Sequence, residues 1–290
     1  VARIAIIGGG NIGEALLSGL LRAGRHTKDL VVAEKDPARA KQLADKYSVQ
    51  VSSVGDAAEN ASYVIVAVKP SDVESVVGEI AEKVAQAEND SAEQVFVTVA
   101  AGVSTAYYES RLPAGAPVIR VMPNAPMVVG GGVSAVAPGS FATAEQLKDV
   151  VSIFDAVGGV LTVPESQLDT VTAVSGSGPA YFFLMVEALI DAAVAEGLPR
   201  TVATELVSQT MAGSAAMLLE GLDRQPSAGD AAMGAGIDTT AAQLRATVTS
   251  PGGTTAAGLR ELERGGLRTA VANAVAAAKT RSEQLGITSE

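Results

Sequence analysis

Two hydrophobic patterns divide the chain. Up to about Pro164, short unbroken apolar runs such as Tyr-Val-Ile-Val-Ala-Val at 63–68 and Val-Phe-Val-Thr-Val-Ala at 95–100 alternate with amphipathic segments. Runs that are apolar at every position suit strands buried on both faces, and their alternation with helical stretches predicts a parallel sheet covered by helices. The predicted strands are 3–8, 30–34, 49–52, 63–68, 95–100, 118–122, 133–137 and 160–163, with helices opening near Asn11, Pro37, Ser71, Ser104 and Thr143. Beyond Pro164 the β pattern stops. Helical periodicity follows over 166–174, 179–196, 199–222, about 239–248, 255–264 and 267–285, with Pro179 and Pro199 in first turns, where proline is tolerated. The expected architecture is an α/β domain with a parallel sheet over 1–164 and an all-α domain over 165–290. The turn-rich segment 221–236 reads as a loop or weak helix, and 180–195, broken by Glu187 and Asp191 and shorter than a bilayer span, reads as a buried helix.

Composition narrows the chemistry. There is no Cys, which excludes disulfides, thiolate metal sites and a Cys nucleophile and fits a reducing, cytoplasmic setting. The single histidine, His26, lies in the polar turn Gly-Arg-His-Thr-Lys-Asp, so neither a histidine metal site nor a Ser/His relay is expected. A net charge of −11 without a basic cluster argues against nucleic acid as a partner. The strand pattern beginning at Arg3 has no basic and apolar leader before it, so no secretion signal or membrane association is expected.

The sharpest motif is Gly8-Gly9-Gly10-Asn11-Ile12-Gly13, a G-x-G-x-x-G between the first strand and the first helix. Such glycines permit a tight turn and close approach of a pyrophosphate, which the helix N-terminus then stabilises, so a Rossmann-type dinucleotide site is expected at Gly8, Gly10, Asn11, Ile12 and Gly13. The second strand ends at Glu34, where a carboxylate would hydrogen-bond a ribose 2′-hydroxyl and favour NAD. Lys35 and Arg39 follow, and either would neutralise a 2′-phosphate if Glu34 turned away. Two more loops leave carboxyl ends of strands, where open α/β sheets bind ligands: Val68-Lys69-Pro70, and Met122-Pro123-Asn124 with Asn124 as its polar group. The helical half adds Ser175-Gly176-Ser177-Gly178-Pro179 and Thr249-Ser250-Pro251-Gly252-Gly253-Thr254-Thr255, each placing hydroxyls and glycines before a helix in the manner of an anion site.

The segments GGGNIGEALLSGL, VAVKP, RVMPNAP, AVSGSGPAYFF and TSPGGTT occur in the order seen in the pyrroline-5-carboxylate reductases, which the chain resembles over essentially its whole length. The resemblance implies a Rossmann domain, an all-α C-terminal dimerisation domain, and reduction of 1-pyrroline-5-carboxylate to L-proline, the last step of proline biosynthesis. It tips the cofactor toward NADPH, with NADH as the alternative, and it implies a homodimer that can build rings such as a decamer. It also implies that the backbone of Gly252, Gly253 and Thr254 holds the substrate carboxylate and that the Thr255 hydroxyl meets the ring nitrogen, with Ser250, Ser175 and Ser177 as neighbours. One departure stands out. The family's His-Pro-Gly-Gln-Leu-(Lys/Arg)-Asp reads here as Thr240-Ala241-Ala242-Gln243-Leu244-Arg245-Ala246, so the path of 221–242 and a role for Asp238 are open.

The substrate is a cyclic imine bearing a carboxylate. Its reduction at C5 needs a placed nicotinamide, an anion site and a polar partner for the ring nitrogen, and no strong base. A β-hydroxyacid dehydrogenase would instead present a Lys on a long helix of the second domain, and 179–222 contains none. A nucleotide-sensing homologue without turnover would show an eroded substrate loop, and both loops are intact. Aromatic residues, 3% of the chain, are absent from 184 to 290. Helices so rich in small side chains bury little area each, so the helical half is expected to need a second subunit for its core.

Overall fold

The computed structural model describes residues 2–86, 94–223 and 240–286. Asp238 and most of 221–242 lie outside them. The chain forms two compact units, one of Val1–Pro179 with Val275–Glu290 and one of Ala180–Ala274.

The first unit is built on an eight-stranded sheet in the order β3-β2-β1-β4-β5-β6-β7-β8. Its strands are β1 (Ile4–Ile7), β2 (Leu30–Ala33), β3 (Gln50–Ser52), β4 (Tyr63–Val66), β5 (Val95–Thr98), β6 (Val118–Met122), β7 (Gly132–Pro138) and β8 (Gly158–Thr162). All eight predicted strands are present, several a residue or two shorter than read. The two-residue period of a strand, with both faces of the sheet covered, explains why β1, β2 and β4 are apolar throughout. Ile4 and Ile6 enter a core with Leu16, Leu20, Leu43 and Phe154, while Ala5 and Ile7 enter the opposite core with Ala57, Ile80, Tyr107 and Tyr108. The first face is covered by α1 (Asn11–Arg22), α2 (Pro37–Tyr47) and α6 (Ala144–Asp155), the second by α3 (Val54–Glu59), α4 (Val73–Gln86) and α5 (Thr105–Glu109).

Capping fixes where these helices begin. Asp36 accepts from the Ala38 amide with Pro37 in the first turn, and Ser53 and Ser104 cap α3 and α5. Thr143 and Gln146 form a reciprocal capping box on α6. The short helix α3 escaped the sequence reading because Val-Gly-Asp-Ala-Ala-Glu is too brief to show a period.

The sheet departs from the expected all-parallel pattern at one seam, where β6 and β7 pair antiparallel. Only residues 123–131 join them, part of which is the 3₁₀ turn Ala125–Val129, and a parallel crossover needs a dozen residues or more. Between β7 and β8 there is room for α6, and that pair is parallel.

The predicted helices of the C-terminal half are present as α7 (Leu168–Val171), α8 (Gly178–Ala195), α9 (Arg200–Asp223), α10 (Thr240–Thr247), α11 (Thr254–Arg264) and α12 (Leu267–Leu285). Two readings need correction. Ser175-Gly176-Ser177 does not precede a free helix start, because α7 runs through a π turn at Thr172–Gly176 into α8. The 180–195 segment is not buried within the chain: Phe182 is 59% exposed and Phe183 69%, with Leu184 beside them. Among the described residues, the helical stretch Glu165–Ala195 is the one long and apolar enough, by length and composition, to cross a membrane. Apolar side chains on an uncovered helix face are what a subunit interface requires.

Candidate active site

The strand order reverses between β1 and β4, and an open α/β sheet binds its ligand at the carboxyl ends of such a pair. A cavity of about 420 Å³ lies there, lined by Gly8, Gly10, Glu34, Lys35, Val68 and Lys69 among others. Gly8 has φ +107°, and a Cβ on it would stand 2.5 Å from the Ala67 carbonyl oxygen. A Cβ on Gly13 would stand 1.9 Å from the Gly8 carbonyl oxygen, so only glycine lets α1 begin this close to β1. Gly10 is different, because nothing lies within 4 Å of its Cβ position. The loop therefore offers open space directly before the free amides at the start of α1. That combination fits a dinucleotide pyrophosphate. Asn11 opens α1, and Ile12 packs against the core beneath it.

The acid and the two bases after β2 take unequal parts. Both oxygens of Glu34 are occupied, Oε2 by the Gly9 amide at 2.8 Å and Oε1 by the Asp36 amide at 2.9 Å. Glu34 therefore braces the glycine loop while lining the cavity. Arg39 is held beneath the loop, its Nε donating to the Gly9 carbonyl at 2.8 Å and its Nη2 paired with Glu14. The structure does not bring Arg39 into the cavity lining. Lys35 does line it, exposed and paired at 3.0 Å with Asp72, which lines it too.

Glu14 was not singled out in the sequence, yet it anchors this base. It accepts from Lys46 at 2.9 Å and Tyr47 at 2.8 Å as well as pairing with Arg39, and these contacts, Lys46 first, pull its carboxyl down to about 2. Ser52, Ser53 and Glu79 also line the cavity without a motif to announce them: β3 and the start of α3 deliver the two serines from short, pattern-free segments, and α4 delivers Glu79.

Lys69 precedes the 3₁₀ turn Pro70–Asp72, which directs the chain away from β4 into α4. Asn124 is not at this cavity. Its Oδ1 accepts from the Val133 amide at 2.8 Å and its Nδ2 donates to the Ser175 carbonyl at 3.2 Å. Within the π turn, the Ser175 hydroxyl donates to the Val171 carbonyl at 3.1 Å and the Ser177 amide to the Thr172 carbonyl at 2.8 Å. A half-buried ion pair ties Arg120 of β6 to Glu165, whose carboxylate also receives the Thr105 amide and hydroxyl. His26, as expected, sits exposed in a surface turn.

In the helical unit, Ser250 to Thr255 form a turn and the start of α11. Gly252 has φ +70°, and the Gly253 amide donates to the Ser250 carbonyl at 3.0 Å. The Gly253 amide is thus engaged within the turn. Thr254 and Thr255, the first helical residues, carry amides with no intrahelical acceptor.

A glycine loop on the switch point of a doubly wound sheet, with space before a helix start, defines a dinucleotide-binding protein of the Rossmann class. Residues 3–102 match the family model described as NADP oxidoreductase coenzyme F420-dependent, and residues 165–285 match the one described as pyrroline-5-carboxylate reductase dimerisation. The pyrroline-5-carboxylate reductase of Mycobacterium leprae is 70% identical over 100% of this chain and 99% of its own, and that of Corynebacterium melassecola is 44% identical over 98% of each. Among solved structures, the Coxiella burnetii pyrroline-5-carboxylate reductase superposes with a TM-score of 0.86 at 32% identity, covering 99% of both chains. The Plasmodium falciparum enzyme, solved with NADP bound, superposes with a TM-score of 0.80 at 28% identity, covering 99% of this chain and 98% of its own.

The chain belongs to the pyrroline-5-carboxylate reductases. It is an oxidoreductase that reduces the C=N bond of 1-pyrroline-5-carboxylate with NAD(P)H to give proline, and it assembles as a homo-oligomer.

Proposed function

We propose a division of labour for this reaction. The loop Gly8–Gly13 takes the pyrophosphate, Val68, Lys69 and Pro70 flank the cofactor on the β4 side, and the turn from Ser250 to Thr255 takes the substrate. The nicotinamide supplies the hydride. The observation that carries the cofactor assignment is the open face of Gly10 beside a Gly8 and Gly13 that admit no side chain. The substrate carboxylate lies on the amides of the turn around Gly252, Gly253 and Thr254. Because the Gly253 amide already serves the Ser250 carbonyl, the Thr254 and Thr255 amides bear most of that load. The Thr255 hydroxyl hydrogen-bonds the ring nitrogen, and Ser175 and Ser177 border the ring. The functional boundary is taken at residue 164, a division supported by the helical family model beginning at 165.

NADPH is the preferred reductant in this reading. A Glu34 carboxylate with each oxygen already bonded to a backbone amide is a weaker partner for the ribose, and Lys35 on the cavity rim supplies the cation that a 2′-phosphate requires. With the purified enzyme and 1-pyrroline-5-carboxylate, loss of nicotinamide absorbance is expected with NADPH and, more weakly, with NADH. Lys35→Ala should lower the NADPH-to-NADH ratio of kcat/KM by about ten-fold, the order expected for one charge-assisted contact. No oxidation with either cofactor overturns the enzymatic reading, whereas an unchanged ratio in the variant overturns only the assignment of Lys35.

The assembly is a dimer through the helical half, extended to a ring of dimers, and the enzyme works in the cytoplasm. The dimer is supported by the uncovered Phe182, Phe183 and Leu184 of α8, and the cytoplasm by the absence of Cys. Sedimentation equilibrium should find no folded monomer at micromolar concentration, and Phe183→Glu should dissociate the particle. A stable folded monomer of the unmodified chain would falsify the interface.

A further inference from the structure

A regular helix passing through Ser175 has a defect written in its sequence. The Ser175 carbonyl would pair with the amide four residues on, but that residue is Pro179, which has none. Ser175 is half-buried, and a carbonyl partly shielded from water is costly to leave without a donor, so the helix gains from a donor supplied elsewhere. Asn124, in the loop after β6, supplies it through Nδ2 at 3.2 Å, while its Oδ1 is pinned by the Val133 amide at 2.8 Å. The amide orientation is forced, since only the NH₂ end can face a carbonyl and only the oxygen can face an N–H. A second contact reinforces the first: Gly176 lies so close to Met122 that a Cβ would meet its methyl at 2.8 Å. The end of β6 and its loop therefore hold the π turn at both Ser175 and Gly176.

We infer that Asn124 is a positioning residue for the substrate, acting through the π turn that carries Ser175 and Ser177, and is not a cofactor ligand. The inference rests on the proposal that this turn borders the substrate ring. π turns persist in helices mainly where function needs the displaced side chains, because the regular α-helical pairing is otherwise favoured. Here Pro179 abolishes the competing bond and Asn124 replaces it. Ser175 and Ser177 are thereby set by a side chain from the loop that follows β6.

The test combines three single variants and one double variant with two measurements. Asn124→Ala removes both bonds, and Asn124→Asp keeps the acceptor for Val133 while removing the donor to Ser175. Both are expected to lower kcat/KM for 1-pyrroline-5-carboxylate by about ten-fold, mainly through KM, while the Kd of NADPH measured by fluorescence titration stays within two-fold. Pro179→Ala gives the Ser175 carbonyl an amide of its own. Alone it should stay within about three-fold of the unmodified enzyme, and combined with Asn124→Ala it should recover most of the loss. A weakened NADPH Kd with unchanged substrate KM would make Asn124 a cofactor contact and overturn the inference, as would additive losses in the double variant. If Asn124→Ala does not fold, Asn124→Asp carries the same comparison. Absence of turnover in the unmodified enzyme would instead refute the functional reading on which the inference stands.

Discussion

Thr255→Ala is expected to reduce kcat/KM for 1-pyrroline-5-carboxylate by a factor on the order of 10–100, with the larger part in kcat. Hydride addition at C5 breaks the C=N π bond and moves its electron pair onto the ring nitrogen, which takes up a proton from solvent, and a hydroxyl donating to that nitrogen gains strength as the electron density builds there. Among the described residues the substrate turn offers no histidine and no acid for this purpose, and Thr255 is the second residue of α11, its hydroxyl exposed at the helix start. In the proposed arrangement backbone amides hold the carboxylate, and the substitution leaves them in place, so KM should move less than kcat. Thr255→Ser retains the hydroxyl and should recover most of the activity. Kinetics unchanged in Thr255→Ala would remove the residue from the mechanism, and a loss equal in the serine variant would assign it to packing of the helix start instead.

What the sequence made legible follows from which features are local. Strands such as 63–66 and 95–98 declare themselves because burial on both faces demands an unbroken apolar run, and the caps at Asp36, Ser53, Ser104 and Thr143 are local hydrogen bonds between neighbours in the chain. The glycine loop was readable for the same reason, as strand, turn and helix follow one another directly. The β6–β7 reversal was hidden because strand direction is set by connection length and by partners distant in sequence, neither of which appears in an apolar run. Glu14 was hidden because its role depends on Arg39, Lys46 and Tyr47 reaching it from the next helix. Arg39 itself shows the limit of motif reasoning. Its position after Glu34 suits a phosphate, yet the nearest acid and the Gly9 carbonyl claim its guanidinium first. The helical half was legible as helices but not as a π turn, since Thr-Ala-Val-Ser-Gly keeps helical spacing and only the Pro179 ahead reveals that one carbonyl must look elsewhere.

The glycine loop yields the second large effect, and two of its glycines separate stability from binding. At Gly13 a methyl group would stand 1.9 Å from the Gly8 carbonyl oxygen and 3.3 Å from the Ile6 side chain. The first obstacle is backbone and cannot swing aside. Alanine inside a helix ordinarily stabilises by about 0.5–1 kcal/mol relative to glycine, but overpacking against a fixed neighbour costs about 1–3 kcal/mol, so the clash prevails. Relief requires α1 to slide away from β1, which carries the amides at its start out of line with the pyrophosphate. Gly13→Ala is therefore expected to lower the melting temperature by several degrees and weaken NADPH binding by at least about ten-fold. Gly10→Ala meets nothing within 4 Å in the protein, so its melting temperature should stay close to that of the unmodified chain. The methyl group would nevertheless stand where the pyrophosphate must approach, and NADPH affinity should fall by a similar factor. Thermal melting with and without NADPH measures both quantities in one series. If Gly10→Ala binds NADPH normally, the pyrophosphate does not lie on this loop. If Gly13→Ala melts like the unmodified chain, the contact between α1 and β1 is looser than the 1.9 Å approach demands.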